Sequence, residues 1–179
     1  MRNLLHQNGP VTIKILSRDR EGSHCEILIE DLADCQLFAE QVAAQITVPL
    51  AIALSGTLGA GKTQWSRFFA IALGAPAEAI SSPTFMLVHE YDSQPRVFHL
   101  DAYRIGDEDE MLELGIEEMF DADAVTIIEW ADRFPSLLPR ETLGVHLEIG
   151  ESESSRRVRL QASGQRSQSL LRRLIVLWE

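Results

Sequence analysis

Gly56-Thr57-Leu58-Gly59-Ala60-Gly61-Lys62-Thr63 fits G-x-x-x-x-G-K-S/T at every fixed position, and each fixed residue has a task that its type explains. Glycines let a backbone curl until successive N–H groups converge, making a concave anion site that side chains would obstruct. The main chain of Gly56, Leu58, Gly59, Ala60 and Gly61, with Lys62, Thr63 and Gln64 opening a following helix, is therefore predicted to surround a chain of phosphates. Lys62 would reach the β- and γ-phosphates and balance the charge that develops during transfer, and the Thr63 hydroxyl would ligate Mg²⁺. The plain alternative is a flexible glycine turn with a solvated lysine. A strand-like run before the motif and a helix-like run after it argue against that, and Lys62 is one of only two lysines in the chain.

Two carboxylates stand where such a site could use them. Asp101 follows the strand-like run 96–100, and Glu129 ends the apolar run Val125-Thr126-Ile127-Ile128. Open α/β sheets gather ligand groups at the carboxyl ends of their strands, and an acidic residue placed like Glu129 holds the Mg²⁺ shell in phosphate-loop enzymes. A turn cap for Asp101 and an exposed strand end for Glu129 are the alternatives. Strand alternation puts His99 on the face of Asp101, either orienting it or as a satisfied buried histidine, and the second reading is preferred. Arg104 serves phosphate charge or pairs with the acidic segment after it. Trp130 is a core anchor or part of a docking surface.

The elements that must position these groups follow from periodicity. Residues 50–54 form a continuous apolar run of the kind buried on both faces, predicting a central strand. Trp65, Phe68, Phe69, Ala72 and Leu73 recur at helical spacing until Gly74 and Pro76 stop the helix. Residues 85–91 and 96–100 flank Asp92-Ser93-Gln94-Pro95, as in an antiparallel hairpin. A strand over 26–29, helices over 32–46, 108–120 and 168–177, and strands over 124–130, 143–149 and 158–161 complete the reading, with no internal repeat. Together they predict an α/β, P-loop NTPase-like three-layer sandwich: a mostly parallel central sheet with an antiparallel hairpin and helices on both faces. Residues 1–25 read as an N-terminal extension with a loosely attached strand near 11–16. Residues 26–150 form the P-loop domain, and residues 151–179 a strand-helix extension packed on it.

Charge and composition exclude other classes. With 179 residues and 45% hydrophobic content, one domain with a full core is expected. A formal charge of -11 repels nucleic acid on average, so an autonomous RNA binder is disfavoured. The charge is uneven, with an acidic run over 107–123 and arginines at 156, 157, 159, 166, 172 and 173. The acidic run reads as a solvated helix face or a basic partner's target, and the arginines as a solvated extension or a contact for tRNA or that acidic surface. Cys25 and Cys35 are too few for a disulfide framework and suit a reducing compartment. No apolar run approaches bilayer length and no signal-peptide core is apparent, so the expected location is cytoplasmic, with no membrane.

A phosphate loop alone does not separate ATPases, GTPases and kinases. Downstream, Ser82-Pro83-Thr84-Phe85, His99-Leu100-Asp101-Ala102-Tyr103-Arg104, Glu113-Leu114-Gly115-Ile116 and Glu129-Trp130 follow Leu58-Gly59-Ala60-Gly61-Lys62-Thr63 in the order and spacing typical of the TsaE family. The chain resembles that family over roughly residues 29–149. The resemblance implies an ATPase, slow alone, that binds Mg·ATP and docks on TsaD and TsaB-type transferase proteins. Those proteins install threonylcarbamoyl on adenosine beside the anticodon of certain tRNAs, so tRNA is met indirectly, through the complex. It further implies that Asp101 is a catalytic carboxylate beside Lys62 and Glu129, and that Thr84 lies in a switch segment near the γ-phosphate or Mg²⁺. An ordinary turn at Thr84 stays open. Two positions depart from the family: Thr57 stands where Asp is usual, and Cys35 where a Thr commonly helps frame the nucleotide. A P-loop small-molecule kinase and a nucleotide-sensing module without turnover are the competing functions.

Overall fold

A computed structural model describes residues 13–78, 80 and 87–179; Thr84, with Ser82, Pro83 and Phe85, lies outside the described residues. The elements run β1 (Lys14–Arg18), β2 (His24–Ile29), α1 (Leu32–Ala44), β3 (Leu50–Gly56), α2 (Lys62–Ala72), β4 (Val88–Tyr91), β5 (Arg96–Asp101), α3 (Glu108–Glu113), α4 (Ile116–Asp121), β6 (Ala124–Glu129), β7 (Thr142–Ile149), β8 (Arg156–Ser163) and α5 (Gln165–Trp178). All the described strands join one sheet in the order β1-β2-β8-β7-β3-β6-β5-β4.

The apolar run of β3 is central, as its composition demands, with parallel neighbours β7 and β6 on either side. β5 extends the parallel block beyond β6. The remaining pairs, β1 with β2, β2 with β8, β8 with β7 and β4 with β5, are antiparallel. The expectation of a mostly parallel sheet is therefore corrected to a mixed one. Parallel neighbours need long crossovers, whereas β7–β8 and β1–β2 are joined by turns too short to cross over. In the β1–β2 turn, the Asp19 carboxylate accepts from the N–H groups of Gly22 and Ser23 at 2.7 and 3.0 Å, closing a tight reversal.

Alternation along β3 divides the core. Leu50, Ile52 and Leu54 pack with Phe38 and Val42 of α1, Trp65 and Phe69 of α2, and Leu170, Leu171 and Leu174 of α5. Ala53 points the other way, toward Leu100, Ile128, Met111 of α3 and Ile116 of α4. Helices thus lie on both faces of the sheet, a mixed α/β arrangement.

One helix is split, and segments near both ends of the chain join the sheet. The single helix over 108–120 is broken at Gly115, whose φ of +74° ends α3 and opens α4. The strand expected near 11–16 lies at Lys14–Arg18 as β1, the edge strand of the sheet, with Ile13 buried and β2 beginning at His24. The C-terminal segment is interior to the fold, since β8 lies between β2 and β7 and the Trp178 indole N–H donates to Gln41 Oε1 of α1 at 2.7 Å. Among the described residues, no helix is long and apolar enough to cross a membrane.

Candidate functional site

The parallel register brings the predicted groups to one edge. Leu54 of β3 and Asp101 of β5 both pair with Glu129 of β6, so three strands end level with one another where the chain leaves β3 for the glycine loop. This is the carboxyl edge at which parallel sheets place ligands. Gly56 has φ +127°, and a Cβ there would lie 2.1 Å from the Leu147 carbonyl oxygen. Only glycine lets β3 turn away while still touching β7.

The loop delivers the start of α2 to that edge. The residue before the helix is Gly61, with φ +104° and no side-chain cap, whereas α1 is capped by the Asp31 carboxylate and α3 by that of Asp107. The first amides of α2 are thereby left without a carboxylate of their own, at the positive end of the helix dipole. Leu58, Gly59, Gly61, Lys62, Thr63 and Gln64 line a cavity of about 370 Å³ together with Asp101, Tyr103, Arg104, Glu129 and Trp130. Ala60 is fully buried and lines a second cavity of about 230 Å³ with Leu32, Cys35, Gly61, Gln64 and Arg156.

Lys62, only 4% exposed, donates through Nζ to the Gly56 and Thr57 carbonyls at 2.7 and 3.0 Å and lies 3.6 Å from the centroid of the Trp130 ring. Burial holds its ammonium below the ordinary lysine value, opposed by the carboxylates of Glu129, Asp132 and Asp101. Trp130 packs against the cluster around Leu100 and Ile128, in keeping with the core reading. It is half-buried beside Tyr103, with ring centroids 5.0 Å apart. Its φ of +60° is the sole left-handed value at a non-glycine among the described residues, a strained conformation of the kind that clusters at functional sites.

Glu129 is the hub, 2% exposed. Its Oε2 accepts from the Thr63 hydroxyl at 2.7 Å and its Oε1 from Ser66 at 3.4 Å. His99, 1% exposed, reaches Glu129 Oε1 through Nε2 at 2.8 Å, and its Nδ1 meets the Tyr91 hydroxyl at 3.1 Å. Every group in this chain is satisfied when Tyr91 donates to Nδ1 and the His99 Nε2–H donates to the carboxylate. Burial, then the Glu129 charge, pushes the Tyr91 phenol up to about 12, so it stays a hydroxyl donor. His99 is thus the satisfied buried histidine that was preferred, bound to Glu129 rather than to Asp101. The Asp101 carboxylate accepts from the Tyr103 N–H at 3.0 Å, as the cap reading expects, and the residue lines the cavity.

The hydroxyl of Thr63 and the carboxylate of Glu129, hydrogen-bonded to each other at a cavity wall, are hard oxygen donors suited to Mg²⁺. Among the described residues no group of three or more His, Cys, Asp or Glu could hold a metal. A magnesium ion here would therefore complete its shell from phosphate oxygens and water.

Periodicity had no means of finding Arg156, Ser66 or the Tyr91–His99 link. Arg156 reaches the loop from β8, donating to the carbonyls of Ala60 and Gly59 at 2.8 and 3.3 Å. Four other C-terminal arginines serve the fold: Arg157 pairs with Glu26 and Arg159 with Glu148, while Arg172 and Arg173 donate to the carbonyls of Glu21 and Gln45. In the acidic run, Asp107 caps α3 and Glu110 accepts from the Gly106 N–H at 2.6 Å. The Thr57 carbonyl accepts from Lys62 and from Ala60, so that position contributes backbone to the loop.

The sequence pattern of the family described as "Threonylcarbamoyl adenosine biosynthesis protein TsaE" matches residues 29–158. The chain belongs to the TsaE family. Its relatives include the "tRNA threonylcarbamoyladenosine biosynthesis protein TsaE" of Bacillus subtilis (strain 168), 37% identical over 125 residues that cover 69% of this chain and 76% of the relative. The protein of the same name from Treponema pallidum (strain Nichols) is 35% identical over 98 residues, 55% of this chain and 72% of that one. Among solved structures, that of Bacillus subtilis YdiB matches with a TM-score of 0.71 and 27% identity, covering 86% of this chain and 95% of YdiB. Membership in TsaE places Lys62, Thr63, Asp101, Glu129 and Arg156 within the matched span.

Proposed function

We propose that this chain is a cytoplasmic P-loop ATPase that binds Mg·ATP across residues 56–64 and supports threonylcarbamoyladenosine modification of tRNA by acting on a TsaD–TsaB-type transferase. The observation that carries the ATPase reading is the Thr63–Glu129 hydrogen bond at the exit of the glycine loop, with Lys62 and Asp101 on the same cavity wall. The biological role rests on TsaE membership and on the names of the relatives.

In this reading the loop amides and the N-terminus of α2 bind the phosphates. Lys62 leaves its carbonyl partners for the β- and γ-phosphates and offsets the charge that grows on the transferring group. Thr63 and Glu129 would hold Mg²⁺, which would supply charge neutralisation on the phosphates. Asp101, at the end of β5, orients the attacking water. Glu129 keeps its geometry through His99 and Ser66, and the Trp130 ring screens Lys62 from solvent. The small apolar cavity beside Leu32, Cys35 and Ala60 suits the flat faces of a base.

ATP hydrolysis by the purified chain, with and without TsaD and TsaB-type partners, tests this. Slow basal turnover that the partners raise is expected. Phosphoryl transfer to an alcohol would instead establish the kinase reading, and binding without turnover in either condition a sensing module.

A further inference from the structure

Arg156 is far from the phosphate loop in sequence, yet its guanidinium is built into it. Nε donates to the Ala60 carbonyl at 2.8 Å and Nη2 to the Gly59 carbonyl at 3.3 Å. Nη1 donates to the carbonyls of Glu153 and Ser155, both at 2.7 Å. The side chain thus ties two peptide groups of the loop to the turn between β7 and β8. All four of these acceptors are carbonyls, so the planar fork works here by geometry rather than by pairing with an anion.

That geometry matters because the glycines on either side of Ala60 are not held by packing, although the Ala60 methyl is buried and Lys62 ties the Gly56 and Thr57 carbonyls. Gly59 and Gly61 have φ of +79° and +104°, and a Cβ added at either would meet nothing within 4 Å. Packing around them does not impose these conformations, and glycine has the most freedom to lose on ordering. Within the loop, the Ala60 N–H donates to the Thr57 carbonyl at 3.1 Å, which closes one turn but leaves the next peptide unfixed. A trans peptide directs its C=O and N–H to opposite sides. With the Ala60 C=O drawn toward Arg156, the Gly61 N–H is turned away from β8.

We propose that Arg156 is a positioning residue that pre-orders the phosphate loop, holding the Ala60–Gly61 peptide so that its N–H faces the anion before nucleotide arrives. This rests on the reading of residues 56–64 as the triphosphate site. A loop ordered in advance spares the ligand the entropy of ordering it, and so tightens binding.

Hydrogen exchange on the full-length protein without nucleotide, combined with Mg·ATP affinity, tests it in wild type, Arg156→Gln, Arg156→Lys and Arg157→Gln. Lysine keeps the charge but lacks the planar fork that reaches four carbonyls on two segments at once. Both Arg156 variants should therefore exchange the amides of residues 57–63 about tenfold faster and bind Mg·ATP about tenfold more weakly, with amides of β3 and α5 unchanged. Arg157→Gln, which removes a pairing with Glu26 on the other face, should match wild type. Wild-type loop exchange in Arg156→Gln, full rescue by Arg156→Lys, or an equal rise in β3 and α5 would each overturn the proposal. If wild type itself fails to bind Mg·ATP, the nucleotide reading falls, while the exchange arm still decides the clamp.

Discussion

Lys62 is held by two loop carbonyls, an indole face and a burial that disfavours its charge, with carboxylates opposing that cost. An ammonium kept at such expense is poised to exchange its carbonyl partners for phosphate. Lys62→Ala should lower ATP turnover by about 10²-fold or more, read by phosphate release; an unchanged rate would place the chemistry elsewhere. His99 offers a finer test. His99→Leu leaves a buried carboxylate oxygen short of a donor and should cost roughly 1–3 kcal/mol of stability, measured by urea unfolding. His99→Gln can still donate, and should recover most of the stability and the turnover. A third prediction concerns Cys35 in the wall of the small cavity. Burial raises its thiol to about 11 from an ordinary 9.0. At pH 8 the thiolate fraction falls about a hundredfold, and greater intrinsic nucleophilicity restores about tenfold, so disulfide reagents should react about tenfold more slowly than with a free cysteine. Because the folded state keeps the proton longer, this thiol favours folding below pH 9 and loses that contribution as pH climbs through about 11.

Elements whose apolar pattern reports their own burial were legible. The run 50–54 is the central strand and the helical repeat after Gly61 is α2, because both signals depend only on neighbours in sequence. Partner choice was not legible. Which strand lies beside which depends on crossover lengths and on the C-terminal hairpin, so the parallel block proved to be only β7-β3-β6-β5. The site divides in the same way. Lys62, Thr63, Asp101 and Glu129 carry local signatures and converge on one cavity. His99, Tyr91 and Arg156 act across strands, and only the register reveals them. The close approach of β3 and β7 at Gly56 belongs to this scale too. Gly56→Ala sets a methyl against the Leu147 backbone and should destabilise the fold by about 2 kcal/mol or more, visible as a lowered thermal midpoint even without nucleotide; an unchanged midpoint would show that the strands can part there.

The whole molecule depends on its C-terminal hairpin and helix as fully as on the strands around the loop. β8 fills the sheet between β2 and β7, and Leu170, Leu171, Leu174 and Trp178 are buried against α1 and the sheet. At roughly 2 kcal/mol each, those four side chains supply much of the roughly 5–15 kcal/mol that keeps a domain folded. Removing residues 151–179 should therefore abolish cooperative unfolding, and a truncated chain that still melts sharply would contradict this. The net charge of -11 and the engagement of Arg157, Arg159, Arg172 and Arg173 within the fold are what the proposed reading, in which tRNA is met through partners, requires. The most direct test of the central claim is a crystal structure with Mg²⁺ and a non-hydrolysable ATP analogue. The triphosphate should lie within the curl of residues 56–63, with Lys62 Nζ moved from the Gly56 carbonyl to a phosphate oxygen and the metal at Thr63. A nucleotide bound at another surface, or none bound at saturating concentration, would contradict it.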